Sequence, residues 1–178
     1  MEPGSFTCSF TCSFTCDVCQ RVHAELPHLG VDMPAPYARL PAAERDARAT
    51  LTSDTCVIDG EHFFLRGVIE LPVHDYPETF GFNGWVSQSR ANFEAYVTRP
   101  DAGDRAPTYG YLSTELDCYP VSTLLLRIRV HFRGGGLRPS FELEPTDHPL
   151  AVDQRTGISL RRACELLHHY DVEPDAVT

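Results

Sequence analysis

Two cysteines near the N-terminus have the spacing of half a metal site. Cys16 and Cys19 are separated by two residues, so a tight turn can place both sulfurs on one tetrahedral ion. Two more ligands must come from elsewhere in the chain. We take His23 and Cys56 as the best candidates, which predicts a structural zinc site formed by Cys16, Cys19, His23 and Cys56.

The cysteine pair also has two other interpretations. It can be a pair of reduced thiols without a metal, or a redox pair, although a redox motif needs a strand-to-helix context that Pro27 and the following loop do not provide. Within the zinc hypothesis, His28 and His62 are alternative ligands. Cys118 and Cys164 are weaker candidates because neither has a neighbouring partner.

A second chemical possibility lies in the segment PTDHPLAVDQ. Asp147 could orient the imidazole of His148 as a general base, which would suit a small-molecule hydrolase. The alternative is a structural turn, because Asp and Thr before a proline are common turn formers. Neither a Gly-x-Ser-x-Gly nor a His-Glu-x-x-His motif accompanies the pair, so we prefer the turn.

Arginines on one predicted strand could bind an anion. Arg127 and Arg129 alternate with apolar residues in LLLRIRVHFR, and clustered guanidinium groups can hold a carboxylate or a phosphate. Glu142 and Glu144 on the following predicted strand neutralise part of this charge. A ladder of cross-strand ion pairs is therefore the preferred interpretation, and a small anionic ligand is the alternative.

The elements that position these residues are mostly strands. HFFLRGVIELPV has apolar or small residues at the odd positions from Phe63 to Val73, which predicts a strand with one core face and one partly wet face. LLLRIRVHFR and LRPSFELEP predict a hairpin. Its turn has either two residues, 134–135, or four, 134–137. We prefer four, which sets Arg129 opposite Glu142.

Short helices accompany the predicted strands. One follows Pro41 over residues 42–51, and Ser89 and Ser159 each have the position of a helix N-cap. Short turns between neighbouring strands favour antiparallel pairing. We therefore predict an α+β fold, a mostly antiparallel sheet with a few short helices and a Cys-x-x-Cys N-terminal segment.

The composition limits the classes of function. Acidic residues outnumber basic ones by 25 to 15, and the net charge of −10 argues against a nucleic-acid partner. All the basic residues are arginines, which excludes a Schiff-base lysine. There is no stretch apolar enough for a membrane helix and no signal peptide, so we expect a cytoplasmic protein whose seven cysteines are thiols or metal ligands.

The chain is predicted to form one domain. SFTC occurs three times in succession at the start, and only the third copy, which ends in Cys16, leads into the cysteine pair. We expect residues 1–13 to be a repetitive extension that is disordered or dispensable, residues 14–172 to form the globular domain, and residues 173–178 to be a frayed tail.

Several long segments resemble one bacterial family. FTCDVC, ERDARATLTSDTCVIDGEHFFLRGVIELPV, GWVSQS and GGLRPSFELEPTDHPLAVDQRTGI together are similar to the uncharacterised domain-of-unknown-function family DUF2199. The resemblance implies no particular activity. Where the family usually has Gly after the second cysteine, this chain has Gln20, which adopts a left-handed conformation only at a cost of about 1 kcal/mol or more. Positions that match the family's pattern are Cys16, Cys19, His23, Cys56, Arg66, Trp85, Asp147 and His148.

These observations favour a non-catalytic binding or interaction domain with a structural zinc site. Its partner would be a protein or a small anionic ligand, and Arg66 and Trp85 join Arg127 and Arg129 as candidate ligand-binding residues. The small-molecule hydrolase that uses His148 is one alternative. An acidic immunity-type protein that neutralises a toxin is another, and it rests on size and charge alone.

Overall fold

Strands form most of the regular structure. The computed structural model describes residues 13–23, 25–74 and 76–170. The strands are β1 (Phe14–Thr15), β2 (Val22–His23), β3 (Leu29–Gly30), β4 (Ala49–Leu51), β5 (Thr55–Ile58), β6 (His62–Leu71), β7 (Val73–His74), β8 (Phe80–Gln88), β9 (Thr108–Tyr111), β10 (Arg127–His131), β11 (Ser140–Leu143) and β12 (Ile158–Ser159). The helices are α1 (Ala35–Ala38), α2 (Arg45–Arg48), α3 (Arg90–Thr98), α4 (Pro149–Thr156) and α5 (Leu160–His169), and a 3-10 turn spans Ala42–Glu44.

The prediction of an α+β fold with a mostly antiparallel sheet is confirmed. In the main sheet the strand order is β3-β8-β6-β11-β10-β9, and β5 joins the first half of β6 with β4 outside it. The longest pairing is the antiparallel one between β6 and β8. The predicted extension, residues 1–13, lies outside the described residues except for Ser13, and the predicted tail, residues 173–178, lies outside them entirely.

The main sheet curls until its far end meets β8. Just after β9, Leu112 forms a bridge with Val86, and the backbone N–H of Ser113 donates to the carbonyl oxygen of Trp85 at 2.7 Å. The pairings therefore run in a ring from β8 through β6, β11, β10 and β9 back to β8. Gly110 permits this close approach, since a side chain there would collide with β8.

The alternation of side chains in β6 fills two cores. Its odd-numbered apolar residues point into the main core, as the sequence predicts. The opposite face is drier than predicted because Phe64 packs there in a second, smaller core with Cys56, Ile58 and Trp85. Half-buried residues from the segment before β5 cover this core; they are Tyr37, Leu40, Ala49 and Leu51.

The predicted hairpin register is confirmed, and Arg129 pairs with Glu142. Ser89 and Ser159 cap α3 and α5, as predicted. The predicted helix over residues 42–51 is wrong at its end, because residues 49–51 leave the helix to pair with β5 as strand β4. Helix α4 lies where the sequence indicated only a turn, with Pro149 in its first turn.

Candidate metal centre

The cysteine pair lies in the turn of the small hairpin formed by β1 and β2. The backbone N–H of Gln20 donates to the carbonyl oxygen of Cys16 at 2.8 Å, which closes the turn. Backbone N–H groups of Val18 and Cys19 donate to the Cys16 sulfur. Burial opposes ionisation of Cys16, but these N–H groups prevail and lower the pKa of its thiol. Such clusters of N–H groups form anion-binding concavities at many metal sites.

Gln20 adopts the left-handed conformation that is costly for a residue other than glycine. Its φ is 61°, the region that a glycine at this position would occupy without steric strain. The side-chain amide of Gln20 donates to the carbonyl oxygen of Asp17 at 2.8 Å, which supports the turn from the exposed side. The turn therefore forms with Gln20 in place, at the cost of the strain that a residue other than glycine carries in this region.

Helix α5 brings a histidine to the cysteine pair from the other end of the chain. Nε2 of His168 lies 3.4 Å from Sγ of Cys16, although the two residues are 152 positions apart. The donor atoms of Cys16, Cys19 and His168 all lie within 4.8 Å of one another. A thiolate pair and an imidazole at this separation are able to hold a metal ion.

Two more donors adjoin this cluster. Nε2 of His23 lies 3.1 Å from Sγ of Cys19, and His23 is 1% exposed. That contact lowers the pKa of the Cys19 thiol against the opposing effect of desolvation. Cys164, also on α5, is buried and lies beside Cys16. Burial and the neighbouring thiol raise the pKa of Cys164 to about 12.

The predicted ligand Cys56 is not part of this cluster. It lies on β5 in the second core, where burial alone raises the pKa of its thiol to about 11. Its place near the cysteine pair is taken by His168, which the sequence analysis did not consider. A signal for it exists, because Cys164 and His168 are four residues apart and so lie on one face of a helix.

The candidate catalytic histidine is bound to the backbone through both ring nitrogens. Nδ1 of His148 accepts the backbone N–H of Leu150 at 3.1 Å, which caps α4. Its Nε2 lies 3.2 Å from the carbonyl oxygens of Val121 and Ser122. This geometry is that of a structural cap and favours the turn interpretation over the catalytic role of His148 and Asp147, which stays a prediction.

The arginines of the hairpin form ion pairs with facing glutamates. Nε of Arg127 lies 3.3 Å from Glu144, and Nη1 of Arg129 lies 4.0 Å from Glu142. All four side chains are at least one-third exposed, so each pair contributes little to stability. The same face carries Tyr109 opposite Arg129 and Tyr111 opposite Arg127, which the sequence analysis did not single out.

The other two candidate ligand-binding residues lie at the second core. Trp85 is fully buried, and its indole N–H donates to the carbonyl oxygen of Val31, so it does not face solvent. The guanidinium group of Arg66 stacks over Trp85 at 5.7 Å, and its Nε is buried without a hydrogen-bond partner among the described residues. The main role of the Arg66 side chain is therefore to cover the second core by packing over Trp85.

A surface pocket of about 560 Å³ lies near Arg66 but contains none of the predicted site residues. Its lining includes Asp54, Tyr96 and Arg138. Although burial opposes ionisation of Asp54, hydrogen bonds from Ser53 and Arg138 hold the pKa of its carboxyl group below the ordinary value. The Arg138–Asp54 contact is 2.6 Å, so these two charges neutralise each other.

Comparison with known proteins places the chain in a family. A family model described as an uncharacterised protein conserved in bacteria, DUF2199, matches residues 15–158. The chain belongs to this family. The match includes the cysteine pair and His23 but ends before α5, which carries Cys164 and His168. No curated protein and no solved structure matches the chain.

Each helix in the described part of the chain is too short or too polar to cross a bilayer.

Proposed function

We propose that the protein is a non-catalytic binding domain in which a structural zinc ion holds the N-terminal hairpin against helix α5. The observation that supports this proposal is the cluster of donor atoms from Cys16, Cys19 and His168 within 4.8 Å. Thiolates and imidazole are the ligands that zinc prefers, and four such groups close its tetrahedral shell.

The surroundings of the cluster favour a structural ion over a catalytic one. A catalytic zinc keeps one position open for water or substrate, whereas a structural zinc is enclosed by protein ligands. Cys16, His23 and Cys164 are each 1% exposed, so protein surrounds the cluster on these sides. There are more donors than zinc has coordination positions, so an open position is not expected.

The hairpin needs such a connection. Strands β1 and β2 contain two residues each and form two residue pairs, and an isolated two-stranded hairpin is at best marginally stable in water. Phe14 adds some apolar contact because its ring packs against that of Tyr76 at 5.4 Å. A metal bound jointly by the hairpin and α5 would fix the hairpin to the body of the domain.

For the binding surface we propose the outer face of β9 and β10. Tyr109 and Tyr111 are 59% and 49% exposed and lie beside Arg129 and Arg127. Tyrosine and arginine are enriched among the residues that dominate protein interfaces. The glutamate partners of the arginines leave little net charge for a small anion, so the face favours a protein partner.

The proposal includes a cytoplasmic location and no nucleic-acid partner. The described cysteines are Cys16, Cys19, Cys56, Cys118 and Cys164, and all are free thiols, which suits a reducing compartment. The net charge of −10 repels polyphosphates.

Metal analysis tests the zinc site. Protein purified without added zinc should contain about one equivalent of metal, and Cys16→Ser and Cys19→Ser should each remove most of it. Cys118→Ser is the matched control, since Cys118 is a half-buried thiol outside the cluster, and its metal content should equal that of the wild type. Less than about a tenth of an equivalent in folded wild-type protein would refute the proposal.

Affinity purification from the native cell tests the binding surface. A protein that co-purifies with the wild type should be lost when Tyr109→Ala and Arg129→Ala are combined. Retention of the same partner by this variant would show that binding takes place elsewhere.

A further inference from the structure

The candidate site has five potential ligands, one more than a tetrahedral zinc ion can use. Cys16, Cys19 and His168 form its centre, His23 adjoins it at Cys19, and Cys164 adjoins it at Cys16. A Cys2His2 site would use His23 as the fourth ligand, whereas a Cys3His site would use Cys164. The two alternatives differ in the number of thiolates on the ion, which is measurable.

The position of Cys164 relative to the other ligands favours the Cys3His site. Cys164 and His168 are four residues apart on α5, so their side chains project from the same face of the helix. The His168 ring lies 3.4 Å from Cys16, so the face of α5 that carries His168 and the buried Cys164 is directed at the hairpin turn. The Cys-x2-Cys pair and the Cys-x3-His pair would then each supply two ligands from one rigid element.

Hydrogen bonds around the sulfurs can offset the extra negative charge. Three thiolates on a divalent ion leave a net charge of about −1, whereas two thiolates leave none. Backbone N–H groups lie near each sulfur: those of Val18 and Cys19 near Cys16, that of Arg21 near Cys19, and that of Asp17 near Cys164. Hydrogen bonds to an ionised acceptor such as a thiolate are stronger than those between neutral groups, so these N–H groups can offset the extra negative charge.

The position of His23 suits a hydrogen bond to a thiolate. His23 lies on β2 opposite Phe14, and its ring centroid is 5.5 Å from that of Phe14. From there its Nε2 approaches Cys19 at 3.1 Å, a normal distance for an N–H donor to sulfur. Residues that hydrogen-bond to a metal-ligating side chain, without binding the metal themselves, commonly orient that side chain and tune the properties of the metal.

We propose that zinc is held by Cys16, Cys19, Cys164 and His168, and that His23 donates a hydrogen bond to the Cys19 thiolate without binding the ion. This inference rests on the proposed zinc site and specifies its ligands. It assigns a role to α5 that the family match, which ends at residue 158, does not cover.

X-ray absorption of the zinc-loaded wild type tests the ligand set without any substitution. The expected first shell has three sulfurs at about 2.3 Å and one nitrogen at about 2.0–2.1 Å. A shell of two sulfurs and two nitrogens would overturn the inference and leave the proposed zinc site intact. A wild type that binds no metal would refute both.

Two substitutions give an independent test with cobalt in place of zinc. Cys164→Ala should weaken metal binding by on the order of 100-fold and remove about one-third of the thiolate-to-cobalt absorption. His23→Gln keeps an N–H donor but no imidazole. This variant should therefore show unchanged thiolate-to-cobalt absorption and a metal affinity within about 10-fold of that of the wild type. The reverse pattern, full absorption in Cys164→Ala and weak binding in His23→Gln, would make His23 the ligand.

Discussion

Two adjacent histidines at the end of α5 allow the metal site to be tested with a closely matched control. His168 lies 3.4 Å from Cys16, whereas the neighbouring His169 lies 3.2 Å from the exposed carboxylate of Asp117. Both occupy the last turn of the helix, so their replacement by alanine changes the end of the helix in the same way. We predict that His168→Ala loses most of the stabilisation by zinc and that His169→Ala retains it.

The size of the effect follows from the number of ligands. Structural zinc sites bind with an apparent free energy of about 10–16 kcal/mol, or roughly 2.5–4 kcal/mol for each of four ligands. Loss of His168 should therefore weaken binding by on the order of 100-fold. At a free zinc concentration a thousand times the Kd, zinc stabilises the wild type by about 4 kcal/mol, and the same concentration stabilises the variant by about 1.4 kcal/mol.

Thermal unfolding in zinc-buffered solution measures this difference. For a chain of 178 residues, 1 kcal/mol shifts the melting temperature by about 2–4 °C. Zinc should thus raise the melting temperature by about 8–16 °C in the wild type and by about 3–6 °C in His168→Ala. His169→Ala removes an exposed contact with Asp117 worth less than about 1 kcal/mol and should show the full rise. An equal rise in all three proteins would refute the assignment of His168.

Three further predictions concern the fold and the turn. Gly110→Ala should lower the melting temperature by about 6–12 °C, because its methyl group would collide with the main chain at Ser87; Gly30→Ala, whose methyl group would meet Arg66 at an ordinary contact distance of 3.5 Å, should lower it far less. Asp54→Asn should reduce stability above pH 3.8, where Asp54 is ionised, and this loss should shrink as the pH falls through its lowered pKa; urea unfolding from pH 7 to about 2 measures it. Gln20→Gly should tighten zinc binding about 5-fold by removing the left-handed strain, and tighter competition with a chelator would confirm it.

The sheet was predictable because its strands carry a period-two signal. The alternation in β10 and β11 defined both the strands and their register, since a slip by one residue would turn Val130 and Phe141 to the solvent. Helix α4 gave no comparable signal. It is eight residues long, and its first turn begins at a proline that also suits a loop. The closure of the ring at Gly110 depends on an approach between strands that no local pattern encodes.

The candidate site was predictable only where its residues are close in sequence. The Cys16–Cys19 spacing and the nearby His23 are local features, and the structure places all three together. The other side of the site depends on which helix packs against the hairpin, and the sequence does not specify this at residue level. Cysteine is a suitable metal ligand, but the alternation of side chains along β5 directs Cys56 into the second core, away from the cysteine pair.

The spacing of Cys164 and His168 could have identified α5 as the missing element. Judged singly, each lacks a partner, yet together they form an i, i+4 pair on the buried face of a strongly amphipathic helix. A buried cysteine and a histidine on one helical face suit a metal better than either does alone. Because the family match stops at residue 158, the matched range contains the proposed hairpin ligands without the proposed helical ones. The relatives of this chain should therefore be compared over the segment that follows the match, where a Cys-x3-His pair would mark the same site.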